Sequence, residues 1–190
     1  MATLVERAIG AARLDAATYE EVEADETALS QAMLVVVAAT VASGIGSAAA
    51  SGGHGFGMLS GPLGALLGWF VWAFTMYLVG TRLLPAPETK ADLGQLLRTT
   101  GFAAAPGVVG ILGILPAIGG LILTVTSLWQ LAAMVVAVRQ ALDYTSTGRA
   151  IAVCVIGFIA QLVVVLIFLT LVAGAIAALF GGGAPAVATG

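Results

Sequence analysis

Apolar residues fall into five long runs, at 29–51, 60–84, 99–115, 121–138 and 150–180, separated by short stretches of polar, Gly- or Pro-rich sequence. Each run is long enough, or nearly so, to cross the roughly 30 Å hydrocarbon core as a helix. The pattern predicts an all-α, polytopic integral membrane bundle of about five transmembrane helices, preceded by a short amphipathic and acidic helical leader over 1–28 and followed by a disordered tail over 181–190. Ser51 to Gly57 is a turn by composition, and Pro85-Ala-Pro87 breaks the second run. The third run is short and interrupted by Gly101, Pro106, Gly107, Gly110 and Gly113. The uncharged turn Pro116 to Gly120, which includes Gly119, joins it to the fourth. The third and fourth runs either cross fully or form one re-entrant hairpin. The last run, about 45 Å long as a single helix, must tilt, kink or project.

Within the leader, Leu4, Val5, Ala8, Ile9 and Ala12 recur at helical spacing opposite Glu6, Arg7 and Arg13. This stripe lies on the membrane surface or packs against the protein's own helices. Asp15 reads as the N-cap of a second helix over 16–24. The acidic patch Glu20, Glu21, Glu23, Asp25 and Glu26 on and after it is a docking surface or a solvated face.

Charge orients the runs. All seven Lys and Arg residues (Arg7, Arg13, Arg82, Lys90, Arg98, Arg139 and Arg149) fall at alternate ends of the runs, and the intervening connections carry none. By the positive-inside rule, the N-terminus and the two basic loops face the cytoplasm and the C-terminus lies outside, as in a multi-pass membrane protein. The composition agrees, with 60% hydrophobic and 9% charged residues. The formal charge of -3 comes mostly from the acidic patch and offers nothing to nucleic acid.

Candidate chemistry is sparse. Cys154 stands alone, so no disulfide or paired-thiol metal site is expected. No Asp, Glu, Lys or His falls at the centre of a run, which removes the usual proton-relay group. Gln130 and Gln161 are the membrane-depth amides, expected to hydrogen-bond to each other across the fourth and fifth spans or to line a substrate path. Small-residue pairs spaced by four, including Ser43/Ser47, Gly64/Gly68, Ala103/Gly107 and Gly174/Ala178, are expected to form packing faces. His54 in its glycine-rich loop lacks metal-ligating company, and Ser60 lacks a base other than His54, so neither a metal, a cofactor nor catalysis is expected.

The segments Arg98-Thr-Thr-Gly-Phe-Ala-Ala-Ala-Pro106 (with Gly101 and Phe102), Ile114-Leu-Pro-Ala-Ile-Gly-Gly120, Leu128-Trp129 and Ser146-Thr-Gly-Arg-Ala150 (with Arg149) resemble the Yip domain family, the Ypt/Rab-GTPase-interacting proteins, in its bacterial branch. Leu14-Asp-Ala-Ala-Thr-Tyr-Glu-Glu21 is similar to leaders of that branch. The resemblance covers most of residues 1–175 and implies five membrane helices with a cytoplasmic N-terminus. Eukaryotic relatives act in vesicle traffic and bind small prenylated GTPases. This chain lacks the Asp-Leu-Tyr-Gly-Pro type motif that precedes the first span in those relatives, so small GTPase binding is not carried over.

The reading that follows is a non-enzymatic integral membrane protein that organises membrane or docks a cytoplasmic or membrane protein partner, with oligomerisation open and the lipid bilayer as its solvent. The alternative is a small transporter or channel built around the broken third span.

Overall fold

The computed structural model describes residues 2–51, 61–87 and 89–180. His54, Ser60 and the 181–190 tail lie outside them. Seven α-helices are present: α1 (Leu4–Ala12), α2 (Ala16–Ala24), α3 (Ala28–Ala50), α4 (Gly61–Leu78), α5 (Leu93–Phe102), α6 (Gly119–Ala141) and α7 (Thr147–Phe180). A π-turn, Val79–Leu83, extends α4, and a 3-10 helix, Ala105–Ile114, extends α5. There is no strand among the described residues. Five segments are long and apolar enough to cross a membrane, namely Ala28–Ala50, Gly61–Leu83, Leu93–Ile114, Gly119–Ala141 and Thr147–Leu179.

The chain divides into two compact units, Met1–Gly157 and Phe158–Gly190. In the first, two buried clusters carry the packing. One gathers Ala11, Tyr19 and Val22 of the leader with Ala28, Ala32, Phe102, Ala133 and Ala137. The other gathers Ala73, Met76, Leu96, Val138, Leu142, Tyr144 and Val153. In the second unit the described part is a continuation of α7, with exposed Phe158, Ile159, Leu162, Phe168 and Leu171, as expected of side chains that meet lipid.

The third span begins earlier than its apolar run. Asp92 and Gln95 form a reciprocal capping box at the start of α5, with Asp92 Oδ1 accepting from Gln95 N at 2.8 Å and Gln95 Oε1 from Asp92 N at 2.6 Å. This cap places Leu93, Leu96 and Leu97 inside the helix and not ahead of it. After Phe102 the Gly and Pro content tightens the helix to 3-10. A 3-10 helix rises about 2.0 Å per residue against 1.5 Å for α, so ten residues of each cover about 35 Å, enough to cross the core.

Glycine makes the tight helix fit. Ser43 Oγ donates to the Gly107 carbonyl at 2.8 Å. A side chain on Gly110 would strike Ser43, and one on Gly113 would strike the Gly46 main chain. Ala32 faces Gly101 and Ala39 faces Gly107 in the same way. By contrast, Gly68 and Gly174 have open space where a Cβ would stand, so the expectation that the pairs Gly64/Gly68 and Gly174/Ala178 pack the chain is not met at those two glycines. Both lie on helices whose neighbouring large apolar residues are exposed.

Candidate functional site

At the end of the first unit where α3, α5 and α7 begin, the leader is built onto the spans. The α1 helix starts with a capping box between Thr3 and Glu6, and Asp15 caps α2 by accepting from Ala17 N at 3.3 Å, as its sequence position indicates. Leu14, between the two helices, takes the left-handed conformation with φ 63. Only part of the α1 stripe packs on the protein's own helices: Leu4, Ala8 and Ala12 lie against the first cluster beside buried Ala11, whereas Val5 and Ile9 are exposed and Arg7, expected on the polar side, is on the buried face. On α2, Tyr19 and Val22 face inward while Glu20 and Glu21 face solvent.

Three polar clamps fix this seat. Arg7, only 2% exposed, donates to Glu21 Oε1 at 2.9 Å, Asp25 Oδ2 at 2.7 Å and Gln31 Oε1 at 3.2 Å. Its guanidinium therefore ties α1 to α2 and to the first turn of α3. Burial works against the Arg7 charge, but its bonds to Asp25 and Glu21 outweigh this and raise its pKa. Arg98, six residues into α5, donates Nε to the carbonyls of Val22 and Glu23, each at 3.1 Å, and Nη2 to Glu23 as well. These are last-turn carbonyls of α2, which have no partner within the helix and carry its negative dipole end. Trp129 Nε1 donates to the Ala12 carbonyl, the end of α1, at 2.7 Å.

Beside the seat lies an open cleft of about 530 Å³, lined by Glu20, Glu23, Gln95, Arg139, Gln140 and Asp143 among others. Gln140 Nε2 donates to Glu20 Oε1 at 2.9 Å. Arg139 donates to the Tyr144 carbonyl at 3.1 Å and the Thr145 carbonyl at 3.4 Å, which spends its charge on the main chain of the α6–α7 loop. Asp143 holds a left-handed φ of 52. The Glu23 carboxyl makes no hydrogen bond or ion pair among the described residues. Burial, with Asp143, Glu20 and Asp92 adding to it and Arg98 opposing it, pushes its pKa up to about 7.

The same end is braced by Tyr144, whose hydroxyl donates to the Leu84 carbonyl at 2.6 Å and the Gly80 carbonyl at 3.1 Å. A π-turn widens the helix and frees carbonyls of this kind. Arg149 Nη1 reaches the Pro85 carbonyl at 3.3 Å, and its guanidinium stands 5.7 Å from the Tyr144 ring centroid. Burial raises the Tyr144 hydroxyl pKa.

The remaining candidates are spread through the fold. Phe102, the last residue of α5, and Pro106, in the first turn of the 3-10 helix, are buried. Gly101 lies under Ala32 and the Trp69 ring, and Trp69 Nε1 donates to Thr100 Oγ1 at 3.2 Å. Pro116 is exposed at the opposite end, where Ala117 has a φ of 66. Gly119 closes on the Gly113 carbonyl, and Gly120 is open. Gln130 of α6 borders a groove of about 360 Å³ along α3, with Thr40, Ser43, Ser47 and Ala104.

Gln130 lies in the first unit and Gln161 in the second. Within the first unit, Gln130 Nε2 donates to the Ala104 carbonyl at 3.2 Å and lies over the bare Cα of Gly107. Ala104 lies at the entry to the 3-10 helix, where its carbonyl already accepts from Gly107 N at 2.8 Å and still has a lone pair to offer.

Sequence reasoning brought forward Arg98, Trp129 and Arg149 from this end of the molecule, and Glu23 within the acidic patch, but not Arg7 as a clamp, nor Gln140, Asp143 or Tyr144. The signal for Arg7 was present: one arginine on the polar side of α1, with five carboxylates in the next helix and its exit. Among the described residues, no group of three or more His, Cys, Asp or Glu side chains is arranged to hold a metal.

A family model described as the Yip1 domain matches residues 15–169, most of the chain. No curated protein and no solved structure matches it.

Proposed function

The chain belongs to the Yip1 domain family, and from that premise we propose that it is a non-enzymatic membrane scaffold that docks a protein partner through its leader end. The observation that carries this reading is the way Arg7, Arg98 and Trp129 hold both leader helices. A leader fixed at three points costs little further entropy when a partner binds it. It presents Glu20, Glu21 and the adjoining cleft as a preformed acidic surface.

The distribution of Lys and Arg supports a cytoplasmic placement for this end in a bacterial plasma membrane, with the turn at Ala117 on the other side. The exposed carboxylates favour a basic partner segment over nucleic acid or an anionic lipid headgroup. Transport through the third span has less support, because the Gln130 amide is bonded to the Ala104 carbonyl and Gly107, Gly110 and Gly113 are closed against α3 or α6.

The test is purification in mild detergent of the full chain and of a variant carrying Glu20→Lys and Glu21→Lys. A stoichiometric partner recovered with the former and lost with the latter is the expected result. Equal recovery with both, or no partner with either, contradicts the reading.

A further inference from the structure

Glu23 is a half-buried acidic residue of the leader whose carboxyl has no hydrogen-bond or ion-pair partner among the described residues. Arg98 reaches the Glu23 residue at its main-chain carbonyl and leaves the carboxylate unpaired. The carboxyl is half-buried on the wall of the 530 Å³ cleft. The charged groups that face it come from every neighbouring element. Glu20 lies one turn back on α2, Asp92 and Arg98 belong to the start of α5, and Asp143 belongs to the α6–α7 loop. Arg139 of α6 also lines the cleft, with its guanidinium bonded to the Tyr144 and Thr145 carbonyls. Three carboxylates, and two arginines bonded to main-chain carbonyls, thus surround a carboxyl that has lost part of its hydration.

We propose that Glu23 is a proton-operated latch on the leader: protonated, it lets α2 stay seated on α5 and α6, and ionised, it is repelled by Asp143, Glu20 and Asp92 and loosens the seat. Loss of water around the carboxyl favours its neutral form, and like charges nearby add to this preference. Burial and these neighbours place its titration at about 7, above the ordinary value of 4.5. The sign follows from linkage. A carboxyl that binds its proton more tightly when seated stabilises the seat fully below about pH 4.5, and that contribution is lost as pH rises through about 7. A modest rise in pH on that side of the membrane would then weaken the hold on the C-terminal end of α2, where Arg98 and the packing of Val22 join it to the spans. The consequence for docking rests on the scaffold reading. The latch itself does not, so the two can fail separately.

The experiment measures the distance between spin labels at two exposed positions, Ala17→Cys on α2 and Ser146→Cys at the start of α7, in a Cys154→Ala background. The full chain is placed in lipid nanodiscs and the pH is stepped from 4 to 8.5. The expected result is mainly the short distance at pH 4 and a longer population that grows between about pH 4.5 and 7 and levels off above, the seated-to-released ratio falling about tenfold overall because the carboxyl keeps part of its hydration. The isosteric Glu23→Gln should stay seated throughout. Asp143→Asn, which keeps the side chain suited to a left-handed φ, should make the change smaller and level off at a lower pH. A wild-type distribution that does not change with pH, or a pH response that survives Glu23→Gln, overturns the proposal.

Discussion

Arg98 ends on the main chain of Glu23 and not on its carboxylate. The guanidinium caps the last turn of α2 from a position 7% exposed inside the membrane domain, so the bond that holds the leader is independent of the carboxylates that make the leader acidic. Seat and surface charge can then be changed one at a time.

Removing the clamp should release the leader. Arg98→Ala leaves two buried carbonyls without a donor and is expected to weaken the seat on the order of 3 kcal/mol, about a hundredfold in the seated-to-released ratio. Arg98→Lys should fall between, since an ammonium cannot present the same fork. Trypsin cleavage after Arg13, which is exposed between α1 and α2, reads the released population. An unchanged cleavage rate in Arg98→Ala would show that the apolar cluster alone holds the leader.

The Arg7 pair sets the acid limit of the same seat. Bonds from Thr27 and from the Arg7 guanidinium hold the Asp25 carboxyl down at about 2, below its ordinary 3.8. A lowered folded value means that its contribution is present above about pH 4 and disappears as pH falls through about 2. Asp25→Asn should remove this acid limb and loosen the leader at neutral pH. The check is the Arg13 cleavage rate after brief exposure to a pH series from 5 to 2.

The interface of α3 with the 3-10 helix should tolerate no added carbon. Gly110→Ala drives a methyl into Ser43, and Gly46→Ala drives one into the Gly110 carbonyl, both main-chain-bounded contacts. Each should destabilise the protein by about 1–3 kcal/mol, while Gly68→Ala, in open space, should leave thermal stability in detergent within about 0.5 kcal/mol of wild type. Equal effects at all three positions would mean that helix propensity, and not close packing, dominates.

Much of this was legible in the chain. Run lengths and the asymmetry of Lys and Arg give the five spans, and Asp15 gives the cap of α2. The 3-10 helix was missed because small residues were sought at a spacing of four, the α-helical period. Gly101, Ala104, Gly107, Gly110 and Gly113 recur at a spacing of three, and a 3-10 helix has three residues per turn. That period was on the page as the signature of one continuous bare face. The partners of Arg98 and Gln130 were not legible, because both bond to main-chain carbonyls, and a carbonyl has no letter in the sequence. The cleft was equally hidden, since Glu23, Gln95, Gln140 and Asp143 are distant in sequence and meet only when α2 is seated.

The docking surface requires the leader and the α6–α7 loop to share one side of the membrane and the Ala117 turn to occupy the other. Single cysteines at Ala17, Thr145 and Ala117, in a Cys154→Ala background, can be labelled with a membrane-impermeant maleimide in intact and then permeabilised cells. The account predicts labelling of Ala117→Cys in intact cells and of Ala17→Cys and Thr145→Cys only after permeabilisation. Labelling of Ala17→Cys and Thr145→Cys from outside, or protection of Ala117→Cys until permeabilisation, would contradict it.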